Sequence, residues 1–213
     1  MIRLKVVQRT EELKLNSQET KMIDTPCVIF AGGKSSRMGE NKALLPFAGY
    51  DTLIEFQYRR LSKFFTDVYI SCKEDTKFNF PAKYVYDIPI DETYAPTLGF
   101  VTTFQKLDCE AFFAISVDAP FIDLPTIERL FSNDTTLNDA TVAKTPLGMQ
   151  PLCGIYHKSL LNDFTKMLET GQHRLGYLLK KKNTAFIPFS DETIFLNLNH
   201  PHEYQQALKL LPN

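Results

Sequence analysis

The chain has 213 residues, 44% of them hydrophobic and 23% charged, with a formal net charge of −1, which is enough for one substantial core and the balance of a globular protein. That charge excludes a general attraction to nucleic acid or to an anionic membrane surface, and no apolar run approaches the ~18 residues needed to cross a bilayer. Four scattered cysteines, Cys27, Cys72, Cys109 and Cys153, lack metal-site spacing and read as reduced core or near-core thiols of a cytoplasmic protein.

Residues 1–25 alternate weakly at Ile2, Leu4 and Val6 and then turn polar, so they form either an edge strand or an arm. The N-terminal stretch lacks the continuous apolar segment that export requires. From Pro26 the pattern sharpens: Cys27 to Phe30 reads as a buried strand ended by Gly32 and Gly33. In "TLIEFQYRRLSKFF", Leu53, Phe56, Arg60, Leu61 and Phe64 recur at helical spacing, and Thr52 with Glu55 has capping-box spacing. "VYIS" and "KYVY" predict short strands, and a helix begins near Thr97 and runs through "FVTTFQKL". The almost wholly apolar "AFFAISV", Ala111 to Val117, is expected for a central parallel strand covered on both faces. Asp123 and Pro125 then open another helix.

Beyond residue 130 the rhythm loosens. "ATVAK", "PLCGIYH", "AFIPF" and "TIFLNL" are strand candidates, "SLLNDFTKML" is a helix, and "PHEYQQALKLL" closes the chain as a helix with Pro201 near its first turn. The alternation predicts an α/β fold. It is a single doubly wound, mostly parallel sheet of about seven strands with helices on both faces and right-handed crossovers. Residues 26–213 form one domain in this reading, with a nucleotide-binding part at 26–130 and an acceptor-side part at 131–213.

In such sheets ligands bind beyond the C-terminal strand ends, near a switch in strand order. The segment after Phe30 lies at such a place. Gly32 and Gly33 let the backbone turn sharply and come close to a ligand, and exposed N–H groups there can hold phosphate oxygens. Arg37 can fork two donors onto a phosphate, and Lys42 supplies a mobile point charge. The loop is neither GxGxxG nor GxxxxGK[ST], since Glu40 follows Gly39. Dinucleotide binding and P-loop hydrolysis are therefore poor readings.

"AGGKSSRMGENKALL" resembles the signature of the molybdenum cofactor guanylyltransferase family, AGGxSxRMGxxKxLL. Every fixed position is met, by Ala31, Gly32, Gly33, Ser35, Arg37, Met38, Gly39, Lys42, Leu44 and Leu45. It is similar, more loosely, to the wider group of nucleotidyltransferases acting on phosphorylated sugars and alcohols. The resemblance implies a Rossmann-like fold that binds GTP with Mg2+, joins GMP to the terminal phosphate of molybdopterin-bound molybdenum cofactor, and releases pyrophosphate. It implies that residues 31–42, with Gly33 and Ser35, wrap the triphosphate while Arg37 and Lys42 neutralise it. Main-chain groups from Phe30 through Ala31 to Gly32 would contact guanine or ribose. The implied partners are these small molecules and a molybdoenzyme chaperone or cofactor-insertion protein, with the enzyme a monomer or weak oligomer.

The remaining candidates come from positions at element ends and from the same likeness. Asp118 follows an apolar strand directly, where a carboxylate beside a triphosphate serves as a ligand for Mg2+; it stands in VDAP where the family shows CDxP. Asp87 and the run Ala95 to Gly99 are the nearest equivalents of an aspartate and GPLxG loop that close over the nucleotide, with Asp91 a competing candidate. Gln150 and Pro151 shape the acceptor pocket, and His157 reads as a strand-end surface residue. Arg174, at a helix start beside His173, faces the phosphate and dithiolene end of an anionic pterin. "FLNLNHPHEY" resembles NxNTPxD through Asn197 and Asn199. Asn199 is expected to cap the last helix and to reach the metal or phosphate region. The alternatives are a nucleotidyltransferase for another phosphorylated acceptor (a CTP-dependent pterin cofactor or a sugar phosphate) and a non-catalytic nucleotide-binding regulator.

Overall fold

The computed structural model describes residues 22–32, 41–74, 77–88 and 96–211. The predictions for Ile2, Leu4 and Val6, for Gly33, Ser35, Arg37, Met38 and Gly39, and for Asp91 and Ala95 fall outside these residues.

Seven strands form one sheet: β1 (Cys27–Phe30), β2 (Val68–Cys72), β3 (Lys83–Tyr86), β4 (Ala111–Ser116), β5 (Ala140–Thr145), β6 (Gly148–His157) and β7 (Thr184–Pro188), in the order β3-β2-β1-β4-β6-β5-β7. Pairings β1–β2, β1–β4, β2–β3 and β5–β7 are parallel, while β6 runs antiparallel to both neighbours. The sheet is mostly parallel with helices on both faces, as the alternation of apolar runs predicts.

Strand residues alternate between the two faces, as a two-residue repeat dictates. Cys27, Ile29, Phe113 and Ile115 join one core cluster. Val28, Phe30, Phe112 and Ala114 join the other. The helices α1 (Leu53–Leu61), α3 (Leu124–Ser132) and α6 (Pro201–Leu210) contribute Leu53, Ile127 and Ala207 to the first cluster. On the opposite face, α2 (Pro96–Leu107), α4 (Leu161–Glu169) and α5 (Leu175–Lys181) supply Phe100, Phe164 and Leu178. Phe100 stacks on Phe30 at 4.8 Å between ring centroids and on Phe164 at 4.6 Å, so aromatic packing fixes α2 against the end of β1.

Caps follow the sequence signals. Thr52 Oγ accepts from Glu55 N at 3.2 Å, and Asp123 Oδ1 from Thr126 N at 3.0 Å. The buried face of α1 is rotated from its expected position: Leu53, Ile54, Gln57 and Leu61 are buried, while Phe56 and Arg60 are partly covered. The helix stops at Leu61, because the chain turns to send Phe65 into the core, where it bridges Ile23. "TIFLNL" does not form a strand. Asp191 Oδ1 captures Thr193 N at 3.1 Å and starts a single 3-10 turn, Glu192–Phe195. Cys27, Cys72 and Cys153 are buried and Cys109 is half-buried. Among the described residues no helix is long and apolar enough to cross a membrane.

Gly154, in the antiparallel strand β6, sits against a register shift at Val142 and Ala143. A Cβ there would come within 2.6 Å of Thr141 O and 2.9 Å of Val142 Cγ2. Backbone in a central strand has nowhere to retreat, so Gly154→Ala is expected to destabilise the protein by about 1–3 kcal/mol or more. Denaturant unfolding of the two proteins measures this directly.

Candidate functional site

The sheet brings its reactive edge together by register. β1 and β4 are neighbours with Phe30 opposite Ser116, so the segment Ala31–Gly32 and the turn carrying Asp118 leave the same edge side by side. Strand order reverses here: the chain passes from β1 outward through β2 to β3, then crosses back to β4 on the other flank of β1. This is the switch point at which α/β sheets open a crevice.

Three predicted residues, far apart in the sequence, meet in this crevice. Lys42 Nζ donates to Asp118 Oδ2, and lies 3.3 Å from Asn199 Oδ1. Lys42 is placed by a short 3-10 turn, Lys42–Leu44, which Asn41 opens by accepting from Ala43 N at 3.1 Å. Asp118 is only 7% exposed, and its carbonyl accepts from Leu198 N at 2.9 Å, which ties the Asn197–Asn199 segment to the Asp118 turn. Asn199 itself does not cap α6: His200 is the N-cap residue. Glu203 Oε2 instead accepts from Asn199 N at 2.7 Å and from His200 N at 2.8 Å. With its backbone held in this way, the Asn199 amide is left to face Lys42.

A second layer, unforeseen from the sequence, steadies the Asp118 turn. Gln57, fully buried on α1, donates from Nε2 to Val117 O at 3.2 Å and to Ser116 O at 3.4 Å. Arg60 donates from Nη2 and Nε to Gln57 Oε1 at 2.6 and 3.2 Å, and from Nη1 to Ile122 O. Burial pulls the Arg60 guanidinium down to about 10, so it stays charged near neutral pH. The signal was present as a polar residue at a core-facing helical position. Gln57→Leu would strand Val117 O and release the turn. The expected result is a roughly tenfold or larger fall in kcat with little change in the KM for nucleotide, and a stability loss of about 1–3 kcal/mol. Steady-state kinetics and thermal melting read the two effects separately.

Two cavities open on the crevice and share Pro96 and Leu152 as a common wall. The first, about 370 Å³, is lined by Asp118, Asn197, Asn199, Gln150, Pro151 and His173, among others. Its thiol, Cys153, is pushed up to about 12 by burial and is no thiolate nucleophile. The second, about 360 Å³, is lined by Phe30, Ala31, Gly32, Asn41, Ser71 and Asp87, among others. Burial raises the Asp87 carboxyl above the usual range, and the Ser71 hydroxyl, donating at 3.3 Å, pulls it partly back.

Of the predicted residues, Lys42, Asp118 and Asn199 meet directly, while Phe30, Ala31, Gly32 and Asp87 gather in the second cavity. Gln150 and Pro151 line the first. Arg174 is exposed and does not line either cavity, whereas its neighbours His173 and Leu175 line the first. His157 sits at the far end of the sheet, opposite Ala111, with its Nε2 3.0 Å from Asp134 Oδ2. Gly33, Ser35 and Arg37 lie outside the described residues.

Comparison with known proteins agrees with this arrangement. A family model described as a MobA-like NTP transferase domain matches residues 27–185. The chain is 37% identical over 187 residues to a molybdenum cofactor guanylyltransferase of Campylobacter jejuni, covering 84% of this chain and 93% of that protein. A molybdenum cofactor guanylyltransferase of Helicobacter pylori is 35% identical over 191 residues, covering 87% and 92%. Among solved structures, a molybdopterin-guanine dinucleotide biosynthesis protein A from Archaeoglobus fulgidus matches with a TM-score of 0.74 at 20% identity, covering 87% of this chain and 98% of that one. At that identity the likeness speaks for the fold. The chain belongs to the MobA-like NTP transferase family, with the molybdenum cofactor guanylyltransferases as its relatives.

Proposed function

We propose that the protein transfers GMP from GTP to the phosphate of the molybdenum cofactor and releases pyrophosphate. The observation that carries this reading is the meeting of Lys42, Asp118 and Asn199 at the switch point, beside two cavities with a common wall. The second cavity would take the nucleotide. Its main-chain groups from Phe30 to Gly32 lie beside Asp87, which is suited to accept from the N–H donors of guanine. The first cavity would take the phosphorylated pterin.

In the reaction an acceptor phosphate oxygen attacks the α-phosphorus of GTP, a new P–O bond forms, and the bond to the β-phosphate bridging oxygen breaks. A phosphate oxygen is already deprotonated near neutral pH, so no side-chain base is required, and positioning with charge neutralisation carries the rate. Lys42, turning from Asp118 towards the phosphates, would hold one of their oxygens, and the resemblance adds Arg37 as a second cation. Asp118 and Asn199 both direct side-chain oxygens at one cation, the Lys42 ammonium. Two hard oxygens converging on a positive charge fit Mg2+, which takes few protein ligands and completes its shell with phosphates and water. When bound, Mg2+ would draw charge from the phosphates as a Lewis acid.

The test supplies molybdenum cofactor, Mg2+ and each nucleoside triphosphate in turn and identifies the product by mass. The expected product is the guanine dinucleotide, with an equivalent of pyrophosphate. Transfer from CTP alone, or no transfer to the pterin, overturns the reading.

A further inference from the structure

The first cavity contains a group that neither Asp118 nor Asn199 accounts for. Among the described residues lining it, Asp118 is the sole carboxylate and His173 is the sole side chain able to carry positive charge. An acceptor that ends in a phosphomonoester brings negative charge to this wall, and the Asp118 carboxylate, already paired with Lys42, offers that charge no donor.

His173 is aimed by a buried partner. Thr97, fully buried in the first turn of α2, places its Oγ 2.8 Å from His173 Nδ1. This bond occupies one ring nitrogen and leaves Nε2 as the other polar atom of the ring. When the threonine hydroxyl donates to Nδ1, the neutral ring carries its proton on Nε2. When the ring is protonated, Nδ1–H donates to the hydroxyl and Nε2–H is again present. A phosphate oxygen next to Nε2 selects these two forms.

The location suits that task. Pro96, immediately before Thr97, is part of the wall common to both cavities. The ring tethered to Thr97 therefore stands close to the seam, where an acceptor phosphate must lie for its oxygen to reach the α-phosphorus of a nucleotide in the second cavity. Arg174, the cation next along the chain, lines neither cavity.

We propose that His173, held by Thr97, is a specificity-determining contact for the acceptor, donating from Nε2 to an oxygen of its phosphate. The assignment rests on the guanylyl-transfer reading and deepens it, since it names the residue that recognises the phosphorylated end of the acceptor. No covalent step is involved.

The test uses the full chain, molybdenum cofactor, GTP and Mg2+, and measures the KM of each substrate separately. His173→Ala is expected to raise the acceptor KM by about tenfold to a hundredfold and to leave the GTP KM unchanged. His173→Asn keeps an amide nitrogen near Nδ1 but places none at Nε2, and should behave like His173→Ala. His173→Gln places an amide nitrogen near Nε2 and should return the acceptor KM to within a few-fold of the wild-type value. Thr97→Val, which removes the aiming bond, should raise the acceptor KM by a smaller factor. An acceptor KM within twofold of wild type in His173→Ala overturns the assignment alone. So does a parallel rise in the GTP KM, or equal losses in His173→Gln and His173→Asn. A wild-type protein that forms no guanine dinucleotide overturns the proposed reaction first, and the assignment with it.

Discussion

Asp118→Asn is expected to lower kcat for guanylyl transfer by at least about a thousandfold while the melting temperature moves by only a few degrees. The amide has the shape of the carboxylate and can still accept a hydrogen bond from Lys42, so the Leu198 tie and the Gln57 brace, both made to backbone, stay in place. What disappears is a full negative charge at the convergence point with Asn199. A divalent cation offered two neutral amides and phosphates is held far more weakly than one offered a carboxylate. The measurement is a kcat determination over a wide range of Mg2+ concentration together with a thermal melt. Turnover within tenfold of wild type at ordinary Mg2+ would remove Asp118 as the metal ligand.

Lys42→Met is the second large effect. Methionine preserves most of the apolar stem of this partly buried side chain and removes only the ammonium. The expected fall in kcat/KM for GTP is on the order of a hundredfold to a thousandfold, the usual loss for a preorganised charge facing a developing one. The substitution also leaves the Asp118 carboxylate beside Asn199 without its cation, so the protein is expected to gain more thermal stability from added Mg2+ than the wild type does. Melting curves with and without Mg2+, run beside the kinetics, separate the two consequences. Equal Mg2+ responses in the two proteins would show that the ammonium and the metal do not compete for this point.

The sequence shows most clearly those features that depend on neighbours along the chain. "CVIF" and "AFFAIS" read as buried strands because both faces are covered, and Thr52 and Asp123 announce helix starts through their own side chains. Lys42, Asp118 and Asn199 could be singled out through the motif and through their positions at element ends. Features fixed by distant partners were harder to read. Gln57 falls on the buried stripe of α1 with Leu53 and Leu61, but its partners, the carbonyls of Ser116 and Val117, lie too far along the chain for helical spacing to indicate. His200, and not Asn199, takes the cap of α6 because Glu203 holds both backbone N–H groups. "TIFLNL" has the composition of a strand, yet Asp191 folds its start into a turn. At the start of α5 charge singles out Arg174, whereas the fold turns His173 inward, through a bond to a threonine 76 positions away.

The reversed direction of β6 has a consequence for how such a protein can change. Because this strand runs against its neighbours, its first residues, Met149 to Pro151, arrive at the rim where the parallel strands finish, joined to β5 by the short hairpin around Leu147. Leu147 is 86% exposed at the tip. Lengthening that tip would alter the rim beside Gln150 and Pro151, which line the first cavity, and leave the pairing of the parallel strands β1 to β4 as it is. The rim can thus be remodelled separately from the crevice between β1 and β4.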